Sequence, residues 1–168
     1  MKVYLYFYTD SVGFPRIENQ IKHGGPVTLT DKNMKRFFMT KNQSVDLILK
    51  ATEYAKGGET FVLKMPLILL NDLFDVMKII IAPKYNLKHN NIKTKIIGIR
   101  PGEKITEYLL TDFELENVLE TKDFFIMPSM FDSEITKKYK NAKKPKNIKN
   151  YFDTLKPINK LKIEKMLQ

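Results

Sequence analysis

Ile96-Ile97-Gly98-Ile99-Arg100-Pro101-Gly102-Glu103-Lys104 is a β-branched run that ends on a charged turn. Its first residues favour a strand. Proline presets one backbone dihedral and glycine tolerates a positive one, so Pro101-Gly102 bends the chain tightly and lets a ligand approach the backbone. The turn carries Arg100, a permanent planar cation whose fork matches phosphate oxygens, and Glu103, which accepts hydrogen bonds. A second arginine opens Arg36-Phe37-Phe38-Met39-Thr40, downstream of Gly24-Gly25-Pro26-Val27-Thr28-Leu29-Thr30. Taken alone, Arg36 reads as an edge charge lying over an apolar surface. Arg100 with Glu103 reads as an exposed ion pair contributing about 0–1 kcal/mol. Taken together, two guanidinium groups beside a strand end and a turn suit a diphosphate.

Outward from these segments, strands and helices alternate. Residues 3–8 favour a strand. Gly13 and Pro15 open a helix across Ile17 to Lys22, closed by Gly24-Gly25. Val27 to Thr30 reads as a strand, Asp31-Lys32-Asn33 as a turn, and Arg36 to Phe38 as a strand. Thr40 and Gln43 have capping-box spacing, and the helix they start puts Val45, Ile48, Leu49 and Thr52 on one face before Gly57-Gly58. Thr60 to Leu63 is a strand. Asn71 is positioned to cap a helix with Leu73, Val76, Met77 and Ile80 on one face, ending before Pro83. Strands follow from Thr94 to Gly98 and from Phe124 to Met127, and Asn159 caps a last helix with Ile163, Met166 and Leu167 inward. Alternation of this kind predicts an α/β fold. The expected organisation is an α/β lobe over 1–128, a lysine-rich linker over 129–158 and a C-terminal helix over 159–168.

Composition narrows the classes. The chain has 168 residues, 43% of them hydrophobic, enough for one ordinary core. No apolar run approaches the ~20 residues of a membrane span, and Met1 to Tyr8 lacks the features of a signal peptide, so a cytoplasmic location is expected. Cysteine is absent, which excludes disulfides and thiolate sites, and His23 and His89 have no ligand spacing around them. The net charge of +10 is mostly one segment: residues 137–149 hold seven lysines and no acid, and the rest of the chain carries +3. That segment reads as a solvated linker. Binding of nucleic acid or an anionic surface through it is the alternative, weakened by the sparse aromatic residues there, Tyr139 and Tyr151.

The motifs together resemble the C-terminal portion of polysaccharide-biosynthesis (CapD-like) UDP-N-acetylglucosamine 4,6-dehydratases, which are extended short-chain dehydrogenase/reductases. The resemblance runs from about Pro15 to Pro128 through Gln20-Ile21-Lys22, Gly24 to Thr28, Arg36 to Thr40, Val45-Asp46-Leu47, Gly57-Gly58-Glu59, Lys64-Met65-Pro66, Ile96 to Lys104 and Glu120-Thr121-Lys122-Asp123. It implies the substrate-binding lobe of such an enzyme, an incomplete Rossmann-type domain. It also implies that Arg36, Arg100 and Glu103 hold the UDP part of a nucleotide sugar, with Thr28 passing close to the base. Arg16 lies outside these motifs, and its loss is expected to leave UDP binding unaffected.

The departures bear on activity. The complete family enzyme uses NADP or NAD, and pyrophosphate needs a glycine-rich turn at a helix N-terminus. No G-x-G-x-x-G occurs here, so no cofactor is expected in this chain. The one Tyr-x-x-x-Lys spacing, Tyr139 to Lys143, falls in the lysine-rich segment and reads as coincidence. Tyr8-Thr9-Asp10 stands in the region where a matching enzyme has an asparagine. The expectation is therefore the UDP-sugar-binding half of a dehydratase, a remnant or a split piece, without catalytic residues and inactive alone. A stand-alone UDP-sugar-binding module is the other possibility. A separate cofactor-domain chain, or self-association through Phe7, Phe14, Ile17, Phe37 and Phe38, is expected to cover the exposed seam.

Overall fold

The computed structural model describes residues 2–4, 13–129, 135–146 and 148–168. In chain order the elements are β1 (Lys2–Tyr4), α1 (Gly13–Lys22), β2 (Val27–Leu29), β3 (Lys35–Phe37), α2 (Lys41–Tyr54), β4 (Thr60–Leu63), β5 (Leu67–Leu69), α3 (Leu70–Ile81), β6 (Thr94–Ile96), α4 (Asp112–Glu116), β7 (Leu119–Glu120), β8 (Phe124–Met127), α5 (Ile135–Lys138) and α6 (Lys160–Leu167). The fold is mixed α/β. The strand expected over 3–8 is seen to Tyr4. Its remaining residues, Phe7 among them, and the Tyr8-Thr9-Asp10 departure lie outside the described residues.

The chain forms two compact units. One comprises Met1–Tyr6, Lys41–Met65 and Tyr108–Leu155, and the other Phe7–Thr40, Pro66–Glu107 and Lys156–Gln168. The first holds a four-stranded sheet in the order β1-β4-β8-β7. β1 runs parallel to β4, with Val3 opposite Phe61, as a βαβ crossover requires. β8 is antiparallel to both β4 and β7. Phe61, Phe124, Phe125, Ile126 and Leu115 are buried in this unit, with Phe61 edge-on to Phe124.

The lysine-rich segment belongs to this unit's packing. Tyr139 is buried, with its ring edge-on to Phe61 and 5.3 Å from Tyr54. Lys143 exchanges backbone hydrogen bonds with Glu120, and Lys144 Nζ donates to the Glu116 carbonyl at 2.7 Å. Apolar anchors at intervals hold it down while most of its lysines face water. A freely solvated linker is therefore not what the described residues form.

The second unit positions the candidate site. β2 and β6 pair in parallel, with Thr28 opposite Lys95. β3 and β5 pair antiparallel, with Arg36 opposite Ile68. Ile17 and Ile21 of α1, Leu73, Val76 and Met77 of α3, and Ile163 of α6 bury a common core with Val27, Leu29, Met34 and Phe38. Ile17 and Ile21 are four apart and Leu73, Val76 and Met77 follow the helical period, so each helix offers one apolar stripe. Helix α3 starts at Leu70 without a side-chain cap, so Asn71 does not serve as its cap. Asn159 does cap α6, accepting from Lys162 N–H at 3.0 Å.

Two expectations about apolar faces fail. Ile17, Phe37 and Phe38 are buried and Phe14 stacks on Phe38, so these residues do not form an exposed seam. In α2 the buried residues are Ser44 and Ala51, while Val45 and Leu49 are 53% and 58% exposed. The face of that helix that is covered is the one carrying small side chains, against its apolar spacing.

Candidate functional site

A cavity of about 220 Å³ opens in the second unit between α1, β2, α3 and the turn after β6. Its floor is apolar, with Ile17, Leu29, Met34, Leu73, Phe74 and Met77, and its polar groups are Arg16, Thr28, Thr30, Arg100 and Glu103. Thr28, Arg100 and Glu103 thus line one space although more than seventy residues separate the first from the others. The parallel pairing of β2 with β6 brings them together, because it carries the chain from Ile96 directly into the turn beside Thr28 and Leu29.

The turn is locked from within. Glu103 N–H donates to the Arg100 carbonyl at 3.0 Å, and Arg100 N–H returns a bond to Glu103 Oε2 at 3.2 Å. Glu103 Oε1 accepts from the Thr30 hydroxyl at 3.3 Å, which ties the turn to the end of β2. Gly102 takes φ +80°, a value that glycine adopts without strain. Glu103 therefore orders the turn while its remaining lone pairs stay available. Arg100 is exposed, and its guanidinium has no protein partner among the described residues.

Thr28 is held by Gln20, whose amide answers it twice. Gln20 Nε2 donates to Thr28 Oγ1 at 2.9 Å, and Thr28 N–H donates to Gln20 Oε1 at 3.0 Å. Sequence spacing gave no hint of this clamp between α1 and β2. Arg16 is one helical turn before Gln20, so the two share a face of α1. That placement brings Arg16 to the cavity, although no motif surrounds it.

Arg36 is not among the cavity's lining. Its residue is 5% exposed, and its Nη1 donates to the carbonyls of Lys35 at 2.7 Å and Ile105 at 3.2 Å. Its Nε lies 3.3 Å from Glu107 Oε1. With Lys35 N–H bonded to the Ile105 carbonyl at 2.8 Å, these contacts fasten β3 to the stretch just past the turn. Arg36 is thus engaged with protein acceptors, whereas Arg100 is free to meet a ligand.

The Tyr139 hydroxyl is pushed up from its usual range by burial and by the neighbouring Glu59 carboxylate, away from the near-neutral value a general base needs. Lys143 is exposed. A Cβ on Gly25 would meet Ile92 Cγ2 at 3.0 Å, so that glycine is required by packing inside the fold. Among the described residues no cluster of His, Asp and Glu has the form of a metal site.

Comparison with known proteins places this geometry in a family. Residues 10–129 match the family model of polysaccharide biosynthesis proteins. The chain is 45% identical over 155 residues to an uncharacterised membrane protein of Methanocaldococcus jannaschii, covering 92% of this chain and 44% of that one. It is 42% identical over 103 residues to the capsular polysaccharide biosynthesis protein CapD of Staphylococcus aureus, covering 60% and 16%. Against the UDP-glucose 4-epimerase of Rickettsia rickettsii it is 33% identical over 114 residues, covering 68% and 31%. The X-ray structure of Pen from Bacillus thuringiensis matches 99% of the chain with a TM-score of 0.74 and 38% identity, using 46% of that chain. The chain spans less than half the length of these proteins. Among the described residues no helix is long and apolar enough to cross a membrane.

Proposed function

Because the chain belongs to the polysaccharide biosynthesis protein family, we propose that it is the substrate-binding part of a nucleotide-sugar 4,6-dehydratase and takes the UDP end of UDP-N-acetylglucosamine in the α1–β2 cavity. The observation that carries this is the free guanidinium of Arg100 on the rim of an apolar cavity, beside a turn stiffened by Glu103 and Thr30. About 220 Å³ is less than the roughly 300–1,000 Å³ of a pocket for a whole drug-sized ligand, so the cavity suits one end of a nucleotide sugar. A relative named as a UDP-glucose 4-epimerase supports UDP as the nucleotide. Oxidation of the sugar needs a hydride acceptor, and the sequence has no G-x-G-x-x-G turn to cradle its pyrophosphate. Turnover therefore requires a dinucleotide-binding domain, in the same or another chain, and the 168 residues alone bind without reacting.

Calorimetry with UDP tests the assignment. Hydrogen bonds to charged groups contribute about 1.5–3 kcal/mol, so Arg100→Ala should weaken UDP about tenfold to a hundredfold. Arg100→Lys should recover part of this, since an ammonium lacks the planar fork. A wild-type chain that does not bind UDP, or an Arg100→Ala variant that binds it equally well, overturns the proposal. Micromolar affinity for NADP would overturn the division of labour.

A further inference from the structure

We propose that Arg16 is a further cation that grips the ligand's phosphates beside Arg100, so that α1 and the 100–103 turn hold them from two sides. This rests on the cavity being the nucleotide site. Arg16 and Arg100 both line it, and neither guanidinium has a hydrogen-bond or ion-pair partner among the described residues. Arg36, by contrast, is occupied by two carbonyls and Glu107.

The charge balance supports the assignment. The cavity's lining carries two guanidinium groups and one carboxylate, and both oxygens of that carboxylate already accept bonds from Thr30 and from the Arg100 backbone. Arg16 also stands in the first turn of α1, where no acidic residue accompanies it and where the helix dipole disfavours a cation. A positive group in that place is unfavourable for the empty protein and is relieved by an anion. A nucleoside diphosphate has the required chemistry: a base and ribose for the apolar floor and two phosphates for two guanidinium groups.

The test compares UDP with uridine on the full chain at fixed ionic strength. Arg16→Ala should weaken UDP about tenfold or more while changing uridine affinity less than about twofold, and Arg16→Lys should recover part of the loss. Because Arg16 is exposed and unpartnered, Arg16→Ala should melt at or slightly above the wild-type temperature, which separates a binding defect from a folding one. Unchanged UDP affinity in Arg16→Ala alongside a loss in Arg100→Ala overturns this inference and leaves the UDP assignment standing. An equal loss for UDP and uridine overturns the phosphate role. Absence of UDP binding in the wild type overturns both proposals.

Discussion

Removing the Glu59 carboxylate should cost the first unit a defined amount of stability and flatten its response to acid. Glu59 is buried, and its Oε1 accepts from Lys56 N–H at 2.7 Å and Gly57 N–H at 3.1 Å. The Tyr139 hydroxyl, which accepts from Lys56 N–H at 3.2 Å, lies beside the same carboxyl. Two bonds to a charged acceptor contribute about 1.5–3 kcal/mol each. Lys56 and Gly57 are exposed, so water satisfies part of what truncation leaves behind. Glu59→Ala should therefore cost about 2–4 kcal/mol. Glu59→Gln keeps an oxygen for both N–H groups and exchanges a charged acceptor for a neutral one, so it should cost about 1 kcal/mol. Burial acts to raise the Glu59 carboxyl, but the nearby Tyr139 hydroxyl and the N–H groups of Gly57 and Lys56 together hold it below its usual 4.5. Its contribution is then complete above that value and is lost as pH falls through the lower folded one. Urea unfolding of wild type and both variants, from about pH 7 to pH 3, reads both effects. The deficit of Glu59→Gln should shrink in acid. A deficit independent of pH, or a cost below about 0.5 kcal/mol for Glu59→Ala, would refute the reasoning.

Two further outcomes are expected from thermal or urea unfolding. Ile163→Ala should cost about 2–4 kcal/mol, because Ile163 is fully buried in the second unit's core. Lys160→Met, which removes an exposed pair 2.6 Å from Asp75, should change stability by less than about 1 kcal/mol; the reverse ranking would mean that charge rather than packing holds α6 to α3. Gly25→Ala should cost more than Gly24→Ala: both take positive φ, but only the Gly25 Cβ meets a neighbour, Ile92 Cγ2 at 3.0 Å. We expect about 1–3 kcal/mol for the former and about 1 for the latter, and equal values would mean that the Ile92 contact relaxes freely.

What was legible in the sequence is backbone chemistry, and what was not is the spending of side chains. The 100–103 turn, the helix closed by Gly24-Gly25 and the Asn159 cap follow from residues that are neighbours in the chain, and each stands where local rules put it. Helix α4 shows the limit of such rules. Thr111 and Glu114 form a full capping box, but five residues give no periodicity from which a helix could be expected. Helix α2 failed differently. Its apolar residues have helical spacing, yet Ser44 and Ala51 are buried and Val45 and Leu49 are not, because which face is covered depends on the element packed against it. The arginines make the same point about the site. Arg36 sits in a segment that resembles the family's phosphate-holding one, but its fork is spent on the carbonyl of Ile105, 69 residues away, which no local pattern announces. Arg16 has no motif around it and is left free beside Arg100 by the fold alone. A cation's availability, unlike a turn, is settled by its distant acceptors. Arg36 therefore holds the stretch downstream of the turn, a role that its sequence surroundings do not announce, and Arg16 is the cation whose loss we expect UDP binding to feel.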